Sequence, residues 1–149
     1  MHTLREEVGD AEFWKAVNIY LSRHRFGNVE TGDLKSAMEE ASGRDLDWFF
    51  DQWVYMAGHP KLEVKQTWDA ASSTLKVTVA QTQKLDRITP AAFRLPLEIE
   101  FTIGDTKQTE KLNVTKRLET FSYKLSAKPD ALNIDPLEKI PVKTVKIKP

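Results

Sequence analysis

The sequence predicts an α+β protein: a small N-terminal helical unit of three or four helices, followed by an antiparallel two-sheet β-sandwich of about seven strands. Three observations lead there. Apolar residues recur at helical spacing as far as Gly58, they alternate with polar ones after Pro60, and the turn signals in the second stretch fall at strand-length intervals. The change of period at Gly58-His59-Pro60 sets the expected boundary, with 1–60 as one unit and 61–149 as the other.

Within 1–60, Leu4 and Val8 stand four apart and are read as the last turns of a helix over Thr3 to Val8, so the N-terminus is expected to be truncated. Asp10 is a good N-cap for a helix that places Phe13, Val17, Tyr20 and Leu21 on one face before Gly27 stops it. A further helix starts around Thr31 to Asp33, carries the stripe Leu34, Ala37, Met38 and Ala41, and stops at Gly43. The last opens at Asp45 and buries Leu46, Phe49, Phe50 and Trp53 before Gly58 and Pro60 end it.

The second unit opens with Leu62 to Trp68 and Thr74 to Gln81, which alternate across Asp69-Ala70-Ala71-Ser72-Ser73 and form a hairpin. Phe93 to Ile103 turns at Gly104-Asp105 and returns through Lys111 to Thr115. Pro96 cannot donate to a ladder, so it is expected at an edge or a bulge. Phe121 to Leu125, Ala131 to Ile134 and Val142 to Ile147 complete the set.

The bulk numbers exclude several function classes. The 22 Lys+Arg are matched by 22 Asp+Glu, so no net field draws the chain to nucleic acid or to anionic lipid, and neither is expected as a partner. Cysteine is absent, which removes disulfides, thiolate zinc sites and a Cys nucleophile together. The first residues carry two acids before any apolar run, unlike a signal or transit peptide, and no stretch approaches the roughly 20 apolar residues that span a bilayer. The chain as given reads as soluble, and its compartment is left unassigned.

A search for chemistry returns little. A hydrolytic zinc site needs two imidazoles one helical turn apart with a carboxylate nearby, whereas His2, His24 and His59 are far apart in sequence. His24 is better read as a helix-end cation, and Asp45 as a cap. No serine lies in a Gly-x-Ser-x-Gly setting, and the glycines are scattered singly, so neither a nucleophile elbow nor a phosphate loop is present. No catalytic, metal-ligating or substrate-binding residue is assigned. In the aromatic run Trp48 to Tyr55, Phe49, Phe50 and Trp53 share a face with Leu46 and read as core. Trp48 and Tyr55 lie off that stripe and are the candidates for contact with a partner or with the rest of a parent protein. Lys65, Lys76, Lys143, Lys146 and Lys148 alternate with apolar residues and read as solvated strand faces.

The string Leu4-Arg5, Gly9-Asp10-Ala11-Glu12-Phe13-Trp14, Tyr20-Leu21, His24-Arg25-Phe26-Gly27-Asn28-Val29, Asp33-Leu34, Ala37 to Leu46, Phe49-Phe50-Asp51-Gln52-Trp53-Val54-Tyr55 and Gly58-His59-Pro60 resembles the aminopeptidase N-like zinc metallopeptidases of family M1, where their catalytic domain ends. Gln81-Thr82-Gln83, Phe93-Arg94-Leu95-Pro96 and Ile134-Asp135-Pro136 resemble phrases of the β-sandwich that follows in that family. The resemblance implies that the parent protein removes N-terminal residues from peptides with a zinc-activated water. It also implies working parts that match no residue here: a Gly-x-Met-Glu-Asn segment, a His-Glu-x-x-His helix with a later glutamate, and a catalytic tyrosine. The chain is therefore expected to be a zinc aminopeptidase fragment, without zinc of its own, inactive alone and serving as a scaffold. Its expected partners are the remainder of the parent and, through an exposed helical face, a second copy. The alternative is a non-catalytic relative acting as an interaction or assembly domain. A ligand-binding sandwich is disfavoured, because Trp68 and Tyr123 alternate with polar residues as inward-facing core would.

Overall fold

The computed structural model describes residues 1–142 and 144–148. The chain forms two compact units, Met1–Ala57 and Gly58–Pro149. The first holds α1 (His2–Val8), α2 (Asp10–Arg23), α3 (Thr31–Ser42) and α4 (Asp47–Phe50), the last running into a single π turn over Asp51–Tyr55. Its core is one cluster of Leu4, Val8, Phe13, Ala16, Met38, Leu46, Phe49 and Phe50, with Val17, Leu34, Ala41, Trp48 and Trp53 packed against it.

Asp10 is the first residue of α2, not its cap, and its carboxylate pairs with Arg5; Gly9 takes the cap position at φ 98°. Leu21 is 61% exposed because it lies eight residues beyond Phe13, about 80° round the helix, and Ala16 occupies the buried place instead. Gly43 closes α3 in the left-handed conformation that a side chain would resist. Leu46, not Asp45, is the N-cap of α4; Asp45 stands one residue before it, its Oδ1 accepting the N–H of Asp47 at 2.9 Å. The Trp53 indole is only half-buried, against Phe49, so Phe50 is the fully enclosed aromatic of this run.

The second unit is a two-sheet sandwich. One sheet has the order β5-β2-β1-β7 and the other β4-β3-β6, formed by β1 (Lys61–Asp69), β2 (Thr74–Gln81), β3 (Leu95–Ile103), β4 (Thr106–Val114), β5 (Leu118–Lys124), β6 (Ala131–Ile134) and β7 (Thr144–Lys148). Alternate residues fill its interior: Leu62 and Val64 from β1, Leu75, Val77 and Val79 from β2, Leu95 to Phe101 at every second position from β3. All neighbouring strands are antiparallel except β1 and β7, which run parallel from Lys61↔Thr144 to Lys65↔Lys148. Pro96 lies in the part of β3 flanked only by β4, since β6 reaches no further than Ile99, so it is locally at an edge. Of the C-terminal lysines, Lys146 is exposed; Lys143 and the side chain of Lys148 lie outside the described residues.

The two sheets are stitched at one end by a buried carboxamide. Gln81, the last residue of β2, accepts the Phe93 N–H on Oε1 and donates Nε2 to the carbonyls of Phe93 and Lys116. Its side chain therefore serves as a strand partner for the residue that leads into β3, and holds the β4–β5 connection as well. Gln83 Nε2 donates to the Gln81 Oε1, and Arg117 bonds the carbonyls of Gln83 and Ala91, fastening the long β2–β3 connection to the same point. Tyr123 of β5 supplies a second link between the sheets: its ring centroid is 5.0 Å from that of Phe101, and its hydroxyl donates to the Lys111 carbonyl. Burial, with the Glu110 charge second, pushes the Tyr123 phenol up to about 12.

Two predictions follow from these links. Gln81→Leu keeps the volume but strands buried backbone groups, and should cost about 2–3 kcal/mol by urea denaturation. Tyr123 ionises later in the folded chain than its ordinary value of 10.0. The stability it confers is therefore complete below pH 10 and is lost as pH rises towards 12. Tyr123→Phe, which cannot ionise, should unfold at higher pH than the wild type in an alkaline titration followed by circular dichroism.

Candidate functional site

The helical unit presents two features beyond its core. The first is the π turn. The Met56 N–H bonds the Asp51 carbonyl at 2.9 Å, five residues back, which adds a residue to the turn. Gln52 is drawn into the interior while Val54, Tyr55 and Met56 emerge. The second is the loop after α2. There Phe26 adopts φ 62°, a backbone region that costs a branched or bulky L-residue about 1–2 kcal/mol, and its side chain is fully exposed. The Arg25 guanidinium lies over the ring, 5.7 Å from its centroid. A strained, solvated phenylalanine contributes nothing to the packing of its own unit.

The two residues singled out from the sequence end in different settings. Trp48 is half-buried, edge-on to Phe49 with centroids 5.6 Å apart, and belongs to the margin of the helical core. Tyr55 is 63% exposed. The structure does not bring them together as one aromatic platform. Phe26, Leu21 and Trp14, also exposed, were missed as surface candidates. For Phe26 the signal was present, because a Phe-Gly pair in the loop after a helix puts a bulky residue into a tight turn; α2 itself ends earlier, at Arg23, and not at Gly27.

The histidines show no convergence. His2 and His59 are exposed, and His24 faces Asp33 with Nε2 and Oδ1 3.9 Å apart. Among the described residues, one set of acids has oxygens close enough to share a cation: Glu39, Asp45 and Asp47. This set does not fit the zinc that the resemblance implies, for it offers oxygen alone, where zinc favours imidazole or thiolate. Its oxygens also have work already. Glu39 Oε1 accepts the Leu46 N–H, Asp45 Oδ1 accepts the Asp47 N–H, and Asp47 pairs with Lys35. The Asp47 hydrogen bond, opposed by desolvation and reinforced by the charges of Glu39, Asp47 and Asp45, raises the Lys35 pKa. The ammonium is the cation this cluster holds.

Residues 1–53 match the Peptidase family M1 domain. Aminopeptidase N of Lactococcus lactis subsp. lactis is 40% identical over 60 residues, which cover 40% of this chain and 7% of that protein. Aminopeptidase N of Haemophilus influenzae is 27% identical over 135 residues, 83% of this chain and 15% of the relative, so the likeness runs on into the sandwich. The crystal structure of Legionella pneumophila aminopeptidase A in complex with aspartic acid superposes with a TM-score of 0.72 over 99% of this chain and 17% of its own, at 16% identity, which shows a shared fold. The chain is M1 aminopeptidase-like. The family model describes residues 1–53, within its helical unit, and the matched stretches of the chain span 7% and 15% of the two curated relatives.

The Phe26 geometry gives a prediction of its own. Phe26→Asn places a residue tolerant of the left-handed region at this turn, and should leave thermal stability unchanged or raise it by about 0.5–1 kcal/mol.

Proposed function

We propose that this chain works as the scaffold of a zinc-dependent aminopeptidase, whose metal and catalytic groups come from residues outside it, and that the chain alone does not hydrolyse peptides. The observation that carries the proposal is the match of residues 1–53 to the Peptidase family M1 domain. The donor chemistry agrees: the described acids that cluster are bound to Lys35 and to backbone N–H groups, and no two histidines stand one helical turn apart. The whole protein would release N-terminal residues, as the names of the relatives indicate for them.

In this role the helical unit docks against the remainder of the enzyme through side chains that its own core does not use. Phe26 and Tyr55 are the main contacts, with Trp48 at the margin. Where that remainder is missing, the same apolar side chains bring two copies together, since large exposed apolar areas recruit a partner.

Two measurements test this. Zinc-supplemented protein should release no p-nitroaniline from alanyl or leucyl p-nitroanilide; turnover above the metal-only blank would refute the proposal. Light scattering should show association that grows with concentration and weakens in the double variant Phe26→Asn, Tyr55→Ser. A wild type that stays strictly monomeric would remove the docking role of this face.

A further inference from the structure

The sandwich is closed at one end by the Gln81 network and built differently at the other. There the connection from β5 to β6 crosses from one sheet to the other and is pinned on both sides. The Leu125 N–H bonds the Ser73 carbonyl in the β1–β2 turn. Asp130 bonds the second sheet twice, its N–H to the Thr102 carbonyl and its Oδ2 to the Gly104 N–H. Between these anchors the segment carries Lys128 and Pro129 across the mouth of the sandwich.

Beneath this strap the inward face of β1 is not sealed. Leu62 and Val64 are 1% and 0% exposed, but Gln66 and Trp68, next on the same face, are only half-buried. Trp68 stands opposite Leu75 in the ladder. The result is a cavity of about 430 Å³ lined by Gln66, Thr67, Trp68, Leu75, Lys128 and Pro129. This differs from the sequence expectation that Trp68 is ordinary core, and the size lies in the range of about 300–1,000 Å³ typical of small-molecule pockets.

We propose that this cavity is a binding site for a small aromatic carboxylate. Trp68, Leu75 and Pro129 give apolar surfaces on which a flat ring can lie, the indole providing a stacking face. Two polar side chains at the cavity are uncommitted: among the described residues those of Gln66 and Lys128 have no hydrogen-bond or ion-pair partner, while Thr67 lines it from the strand backbone paired with Lys76. Among the described residues no carboxylate lines the cavity and Lys128 is its single charged residue, which selects for an anion. Asp130 and Asp69, the nearest acids in sequence, are turned to Gly104 and to Ala71 and Ser72. The other large cavity of this unit, about 460 Å³ between Asn133 and Val142, lacks this property. Its buried Asp135 carboxylate already accepts the N–H groups of Lys139 and Ile140.

Phenylacetate and its neutral isostere phenylacetamide test the proposal on the whole chain. The four tryptophans give four indole N–H signals in a nitrogen-15 correlation spectrum, and the Trp68 signal is assigned from Trp68→Leu. Phenylacetate should shift the Trp68 signal saturably, with a dissociation constant of about a millimolar, as suits a ligand of this size. Phenylacetamide should bind about threefold more weakly, and Lys128→Gln, a surface change, should abolish that difference. The inference is overturned by an absent or non-saturating Trp68 shift, by equal shifts at all four indoles, by equal affinity for acid and amide, or by a preference that survives Lys128→Gln. If Trp68→Leu fails to fold, the comparison of acid and amide in wild type and Lys128→Gln decides alone, with the indole signals assigned by triple resonance.

Discussion

One carboxamide holds the topology of the sandwich. A two-sheet fold must send the chain across from sheet to sheet, and each crossing leaves backbone groups without strand partners. Gln81 meets that requirement at two crossings together, pairing Phe93 on both its N–H and its carbonyl and binding the Lys116 carbonyl. Only a side chain with a donor and an acceptor at strand-like separation can do this. Its burial at 2% exposure makes each bond worth more than it would be in water. Because Gln83 and Arg117 attach to the same point, the β2–β3 connection is held in place although it has no strand or helix of its own.

The helical unit depends on a different constraint, the number of apolar positions that short helices can direct inward. α1, α2 and α3 each give it one narrow stripe, and the π turn keeps Phe49, Phe50 and Trp53 near one another on the fourth side. What does not fit that stripe is left in solvent. Most exposed apolar side chains need no explanation. Phe26 does, because it combines full exposure with a backbone conformation that its own unit gains nothing by adopting. The docking contact proposed for Phe26 would give that local strain a use.

The sequence made the elements legible wherever one physical period governs a segment. The hairpins β1–β2 and β3–β4 follow from alternation alone, and α3 from its stripe and its closing glycine. The period says less about neighbours. An edge strand alternates in the same way whether its partner runs parallel or antiparallel, so the direction of β7 beside β1 was not readable. The π turn was equally hidden, since one added residue per turn barely alters where apolar residues fall. For the candidate site, the absence of paired histidines was plain from spacing. The Lys35 ammonium among Glu39, Asp45 and Asp47 was not, as it joins the middle of α3 to the start of α4.

Trp68 shows where pattern reading stops, because alternation reports which face a residue is on and not how far the opposite sheet extends over it. The inward face of β1 runs from Leu62 to Trp68, yet only its first part meets a filled interior. The difference arises from the crossings: at the Gln81 end the connections are drawn in by a buried side chain, and at the Ser73 end the strap is fixed by its own backbone at Leu125 and Asp130. A strap fixed at its ends need not collapse onto the ring beneath it. The same sandwich therefore has one end that carries stability and another that keeps an open, partly apolar space under an uncommitted cation, and both follow from how these three crossings satisfy their hydrogen bonds.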